Sequence, residues 1–379
     1  MHPEQPLSGE HAIKRASSGS ARDFNPEMLT TAREAKRLTQ TDLAQLLGVS
    51  QPLVGKWEAG LGTPTDENVA KLGEVLGVMP AFFFYDRPRR LASMSDFYHR
   101  AMTRVRRKEV KSVHAMCSMV DMQIDRLLKG SDVPDNAIPE IDPDNHAGDI
   151  EKIARMTRVA MGVGSGPIKD VVSLIERCGG IVIDRDFDAD IDALCRWIPG
   201  LPRLFFVNGQ RPTDRLRFSL CHELAHTVMH FENDFDFRLA EEQADRFAAA
   251  FLMPADDIRC DFSSRLQLSS LAGLKRKWRV SMGALIRRAL TLGVIDDSRY
   301  KYLCIELSKR GWRKTEPIDL TPESPSTLRR MIADHLEMGY TRDDLCNLLL
   351  VSHAWVDDLL RNETSPTYEN DGVRLRLTW

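Results

Sequence analysis

Between Pro26 and Asp86 the apolar residues recur every three or four positions in short runs, each closed by a glycine or a polar residue. Leu43, Leu46 and Leu47 form the face of one predicted helix. Thr39 is its cap, Asp42 its third residue and Gly48 its left-handed stop. Val49 turns inward. Ser50 is expected to cap the next helix, with Pro52 in the first turn, where a missing N–H costs nothing, and with Leu53, Val54 and Trp57 facing the core. A further helix starts at Thr65 and points Val69, Leu72, Val75 and Leu76 inward. Helical patterning returns at 115–128, and from residue 151 to about residue 310 helix and strand patterns alternate.

Composition divides the chain further. Residues 1–24 are rich in Ser, Gly and Ala without an apolar period and are expected to form a disordered tail. Residues 25–88 are the small helical bundle. Residues 89–150 read as a helical connector followed by an acidic linker, because 131–151 holds seven acidic residues, three prolines and no Lys or Arg. Residues 151–310 form the mixed domain and 311–379 a C-terminal helical module, entered through a second expected linker at 313–325. The fold class is therefore mainly α with a small β-sheet, in several domains.

A length of 379 residues, at ~150 per domain, is consistent with two or three domains. With 42% hydrophobic and 28% charged residues, the chain is neither disordered throughout nor collagen-like. No apolar run approaches the ~18 residues of a membrane helix, and the first residues lack a hydrophobic signal core. A cytoplasmic protein without a membrane partner is expected. The seven cysteines are scattered without a CxxC pair, which reads as reduced thiols rather than a disulfide framework. A net charge of −3 excludes a polycation, so any DNA contact must be local.

Two helices joined by a tight glycine-containing turn are a helix-turn-helix, whose second helix enters the major groove by its N-terminal end. Ser50 and Gln51 stand at that end and Lys56 one turn later. Gln reads adenine by a bidentate pair and Lys reaches guanine. Gln40, opening the preceding helix, is placed for phosphate contacts. The run LTQTDLAQLLGVSQPLVGKWEAG resembles the XRE (lambda-repressor-like) family over residues 27–85. That resemblance implies a five-helix bundle that binds double-stranded operator DNA as a homodimer. Pro52 departs from it, standing where family members often carry a polar base-contacting residue. The basic run at 100–111 either adds phosphate contacts or is the solvated face of a connecting helix, the second being preferred.

His222-Glu223-Leu224-Ala225-His226 is an H-E-x-x-H, and Leu216, Leu220 and Leu224 at spacing four put it on a helix, with Thr213 as the expected cap. Two histidines four apart can aim at one zinc ion, while Glu223 serves not as a ligand but as the base that takes a proton from the attacking water. The next helical segment opens with Glu241 and Glu242. Glu241, four residues before Asp245, is preferred to Glu242 as third ligand, and Asp245 would orient a ligand histidine. His230 is rotated roughly 80° from His222, so packing or support of a ligand is preferred to metal binding.

Residues GLPRLFFVNGQRPTDRLRFSLCHELAHTVMH and EEQADRFAAAFLMP resemble the ImmA/IrrE metallopeptidase family, over about 150–300. The resemblance implies a minimal zincin, with ligands His222, His226 and Glu241, base Glu223, one Zn2+ or another divalent ion, and repressor-type proteins as substrates. Residues 341–360 echo 39–58 at an offset of 302, Thr341 matching Thr39 and Ser352 matching Ser50. Leu350 replaces Gly48, and Asp358 replaces Lys56, so a degenerate bundle for packing or dimerisation is preferred to a second DNA reader. Lys275, Arg276, Lys277 and Arg279 are expected to form a solvated helix face. Two functions follow. One is a transcriptional regulator with a working zinc endopeptidase that cleaves a repressor, or itself within 131–151. The other is a regulator or antitoxin whose zincin-like domain senses a ligand or partner without proteolysis. The general base favours the first, since a structural zinc site has no need of one.

Overall fold

The protein is described by a computed structural model covering residues 23–86, 107–185, 191–231, 236–263, 266–313 and 315–356. Tail residues 1–22, most of the basic run and 357–379 lie outside the described residues.

The N-terminal bundle consists of α1 (Pro26–Ala35), α2 (Gln40–Leu47), α3 (Gln51–Glu58) and α4 (Asp66–Leu76), closed by a 3₁₀ turn at Pro80–Phe84 where a fifth α-helix was expected. Local chemistry sets its boundaries. Thr39 and Asp42 form a reciprocal capping box, and Gly48 ends α2 at φ 69°, a conformation costly for a residue with a Cβ. Ser50 occupies the cap position of α3 but its side chain makes no capping hydrogen bond. Leu29, Leu43, Val54, Trp57, Leu72 and Phe82 are buried together. Phe24, assigned to the tail, stacks on Phe83.

A long helix, α5 (Arg107–Leu127), joins the lobes. Met119 and Met122 pack into the N-terminal bundle, while Val113, Cys117, Val120 and Ile124 face a second core. That core contains one side of a three-stranded sheet, β1 (Ile181–Asp184), β2 (Ala193–Arg196) and β3 (Leu204–Val207), ordered β1-β3-β2. β1 is parallel to β3 and β2 antiparallel to it, which leaves β2 at an edge. Ile181, Ile183 and Phe206 face α5, whereas Val182 and Phe205 face the main core. With both faces covered, the strands are continuously apolar rather than alternating. The main core is built by α6 (Ile150–Ala160), α7 (Val171–Arg177), α8 (Thr213–Met229), α9 (Phe237–Leu252), α10 (Ala255–Ile258), α11 (Leu268–Trp278), α12 (Met282–Thr291) and α13 (Asp297–Lys309). No helix among the described residues is long and apolar enough to cross a membrane.

Both expected linkers are folded onto the main domain. In 131–151, Ile138 and Ile141 are buried and their neighbours are bonded: Ala137 N–H donates to Cys178 O and Ile141 N–H to Val228 O. Gly179, at φ 84°, admits this strand of chain, since a Cβ there would stand 2.7 Å from the carbonyl oxygens of Pro134 and Asp135. Residues 315–326 form a strap whose acids cap helices. Glu316 accepts from Lys275 and from Met282 N–H at the start of α12. Glu323 pairs with buried Arg217 and accepts from Val171 and Val172 N–H at the start of α7. Glu176 does the same for Ser326 and Thr327. The 313–325 stretch reads as a linker by sequence, but its Glu316 and Glu323 answer helix N-termini. The 275–279 run is a solvated face only in part: Arg276 and Lys277 are exposed, but Lys275 is 3% exposed and bound to Asp214 and Glu316.

The C-terminal module comprises α14 (Thr327–Glu337) and α15 (Arg342–Leu349). The echo of the N-terminal motif extends to geometry, with a Thr341–Asp344 capping box and Leu350 left-handed at φ 58°. Its turn is buried against the N-terminal bundle: Val351 bridges Val78, Met79 N–H donates to Leu350 O, and Ser352 N–H donates to Gly77 O.

Removing Glu323 leaves the Arg217 guanidinium buried without its carboxylate. Glu323→Ala is expected to cost about 3–5 kcal/mol, read as a lowered urea midpoint of tryptophan fluorescence; an unchanged midpoint would contradict the role given to the strap.

Candidate metal centre and nucleic-acid interface

α8 starts at Thr213, which is its first residue and not its cap; the cap position is Pro212, and the Thr213 hydroxyl donates to Leu320 O. His222 and His226 leave the same face of this helix one turn apart, and their Nε2 atoms are 3.1 Å apart. α9 packs along α8 and brings in Glu241, whose Oε2 lies 3.5 Å from His222 Nε2 and Oε1 3.2 Å from His226 Nε2. Donor atoms of these three residues all lie within 4.8 Å of one another. Glu242, the alternative, is exposed and outside this group.

The outer nitrogens are occupied. His222 Nδ1–H donates to Asp245 Oδ1 at 2.9 Å. Gln243 Oε1 accepts from His230 Nε2–H at 2.9 Å, so His230 Nδ1 is the acceptor for His226 Nδ1–H, also at 2.9 Å. Both histidines thereby turn Nε2, the nitrogen left for a metal, toward Glu241. Donors on a tetrahedron with ~2.0–2.1 Å bonds lie ~3.3 Å apart. The observed separations, 3.1, 3.2 and 3.5 Å, match that edge length, and the donor set suits zinc.

Electrostatics agree with a cation-binding cluster. Burial alone would lower the pKa of His222, but its hydrogen bonds to the Asp245 and Glu241 carboxylates outweigh it and hold the pKa up to about 10. Burial lowers His226 to about 4. Burial pushes the Glu241 pKa up, but its contacts with His222 and His226 prevail and hold it well below the usual carboxylate range.

Glu223 lies beside this group and is not part of it. Its Oε2 accepts from Cys195 N–H on edge strand β2 at 2.9 Å. Burial raises its pKa above the ordinary carboxylate value, against the opposing effects of His222 and the Cys195 hydrogen bond. The neighbour of Cys195, Arg196, pairs with Asp121 of α5 at 2.6 Å, and the two side chains are 2% and 0% exposed. Sequence reasoning did not find Gln243 or the Cys195 amide. The only local signal for Gln243 was its place between Glu241 and Asp245 on α9.

In the N-terminal bundle, Ser50, Gln51 and Lys56 are exposed on α3. Gln51 is braced from below. Its Nε2–H donates to Gln40 Oε1, and Gln40 Nε2–H donates to Glu58 Oε2, each at 2.8 Å. Glu58 is in turn held by Arg33, which is 8% exposed. Gln40, expected at the phosphates, thus has both ends of its amide engaged within the domain. Lys111, the one basic residue of the 100–111 run whose side chain is described, lies 4.0 Å from Glu34.

Residues 29–83 match the helix-turn-helix family, and residues 179–290 match the IrrE N-terminal-like domain of the M78 peptidases. Among curated proteins nothing matches. The chain thus joins a DNA-binding module to a peptidase-related domain. The two matches agree with a fusion of an XRE-type helix-turn-helix with an ImmA/IrrE-type domain.

A proton sits on His222 at neutral pH when its pKa is about 10, and a metal must displace it. Zinc uptake by the metal-free protein is therefore expected to release roughly one proton per ion, with affinity rising as pH rises toward that value. A pH-indicator dye in weak buffer measures this. Uptake without proton release would contradict the assignment.

Proposed function

We propose that this chain is a cytoplasmic transcriptional regulator that carries a zinc-dependent endopeptidase and cleaves a repressor-type protein in trans. One observation carries the reading: three converging donors, two imidazoles and a carboxylate, stand beside a second carboxylate, Glu223, that is not among them. His222, His226 and Glu241 would hold the ion. Zinc bound there would supply Lewis acidity at the scissile carbonyl. Glu223 takes a proton from the attacking water and passes it to the leaving amine nitrogen. Its raised pKa suits a group that must accept and then return a proton near neutral pH. The Cys195 N–H holds one oxygen of Glu223 in place. Asp245 orients His222, and His230 with Gln243 orients His226. Cleavage in trans is favoured over self-cleavage within 131–151, because that stretch is anchored through buried Ile138 and Ile141.

The DNA-reading face is Ser50, Gln51 and Lys56. Gln40 fixes the amide of Gln51 and keeps one N–H for a phosphate. A homodimer on a two-fold operator is the expected assembly.

Glu223→Gln is expected to retain its zinc and to lose cleavage of a repressor substrate that the wild type cuts. Metal content and gel assay check this, and equal cleavage by both proteins would remove Glu223 from the mechanism. Against a duplex selected by the wild type, Gln51→Ala should weaken binding by ~1–3 kcal/mol. Unchanged affinity in a titration would reassign the reader.

A further inference from the structure

A cavity of about 1540 Å3 opens between α8, α9, α12, α13 and the strap. None of His222, Glu223, His226 or Glu241 lines it, but Asp245, the partner of His222, does. The cavity therefore begins next to the metal centre and extends away from it. Phe218, Tyr300 and Trp312 line it while packing on the main core, and each remains partly exposed.

The charges along the wall are unevenly committed. Asp192 is paired with Arg211 and Arg215, Asp214 and Glu316 with Lys275, and Glu151 with Arg288. Arg246, Arg259, Arg287 and Arg313 line the same cavity without a carboxylate partner among the described residues, against Glu242 and Asp319 as unpaired acids. Arg287 lies over the Tyr300 ring at 5.8 Å. The unspent charge is positive and the floor is aromatic. The volume also exceeds the ~300–1,000 Å3 that suits a drug-sized molecule, which favours a length of chain.

We propose that this groove is an exosite that holds an acidic, aromatic-containing segment of the protein substrate. Substrate carboxylates pair with Arg246, Arg287 and Arg313, and the apolar side chains lie on Phe218, Tyr300 and Trp312. This deepens the peptidase reading and rests on it. The groove selects the substrate by a segment remote from the scissile bond, so the charge preference resides in binding rather than in proton transfer.

The test uses full-length, zinc-loaded Glu223→Gln protein, which binds without turnover. Fluorescein-labelled peptides of equal length are compared by anisotropy, one built from Asp, Glu and Phe and the other from Asn, Gln and Phe. The acidic peptide is expected to bind roughly tenfold more tightly, with the difference shrinking as salt is raised. Adding Arg246→Glu, Arg287→Glu and Arg313→Glu is expected to abolish the preference while zinc content and operator binding stay at parental levels. If the triple variant loses zinc or operator binding, the corresponding Arg→Gln variants, which remove charge without reversing it, must reduce the preference instead. Equal binding of the two peptides, or a preference that survives these changes, would overturn the exosite. Acidic-peptide binding by a chain whose wild type cuts no repressor would sink the peptidase reading alone. Cleavage by a chain without the preference would sink the exosite alone.

Discussion

Two imidazole lone pairs and a carboxylate directed at one point repel one another unless a cation lies among them. Everything distinctive about the central domain serves to maintain that arrangement. Asp245 prevents His222 from turning its Nδ1 inward, and the Gln243–His230 chain does the same for His226. α8 supplies the spacing, and α9, packed along it through Ala244, Phe247, Ala248 and Phe251 in the main core, supplies the third donor. Without those outer bonds the rings could rotate, and the cluster would lose its reason to bind a divalent ion.

The same domain is physically continuous with the DNA-binding bundle. α5 contributes to two cores at once, and its Asp121 reaches Arg196 on the edge strand, one residue from the amide that holds Glu223. The C-terminal module completes this junction by laying its turn against Val78. A segment that resembles a second DNA reader has its turn residues at 0–5% exposure, Val351 and Leu350, which commits it to packing. Leu350 accepts a left-handed backbone there, where Gly48 serves in the N-terminal copy, and its burial offsets the strain.

What could be read from the chain was what is local. The Thr39–Asp42 cap, the Gly48 stop and the four-residue spacing of His222 and His226 involve neighbours along one helix, so residue order carries them directly. The preference for Glu241 over Glu242 rested on a helical face and agrees with the geometry. The Cys195 amide was not legible, because strand β2 meets α8 only through tertiary packing. Glu316 and Glu323 of the expected linker and Lys275 were misread for a related reason. Acids and bases far apart in sequence look solvated until the fold pairs them, and a carboxylate at a helix start is indistinguishable in composition from one in water.

The strap has a bearing on the order of synthesis. Arg217 and its carboxylate partner are 106 residues apart, and the start of α7 also waits for that carboxylate. The helix-turn-helix bundle contains every residue of its own brace by Tyr85 and draws only Met119, Met122 and Leu350 of its core from later in the chain, so its brace can form while the ribosome is still translating the remainder. The peptidase-related lobe gains the partner of Arg217 only when Glu323 has left the exit tunnel. A nascent or prematurely terminated polypeptide can therefore hold a braced helix-turn-helix while its peptidase-related half still lacks a structural carboxylate.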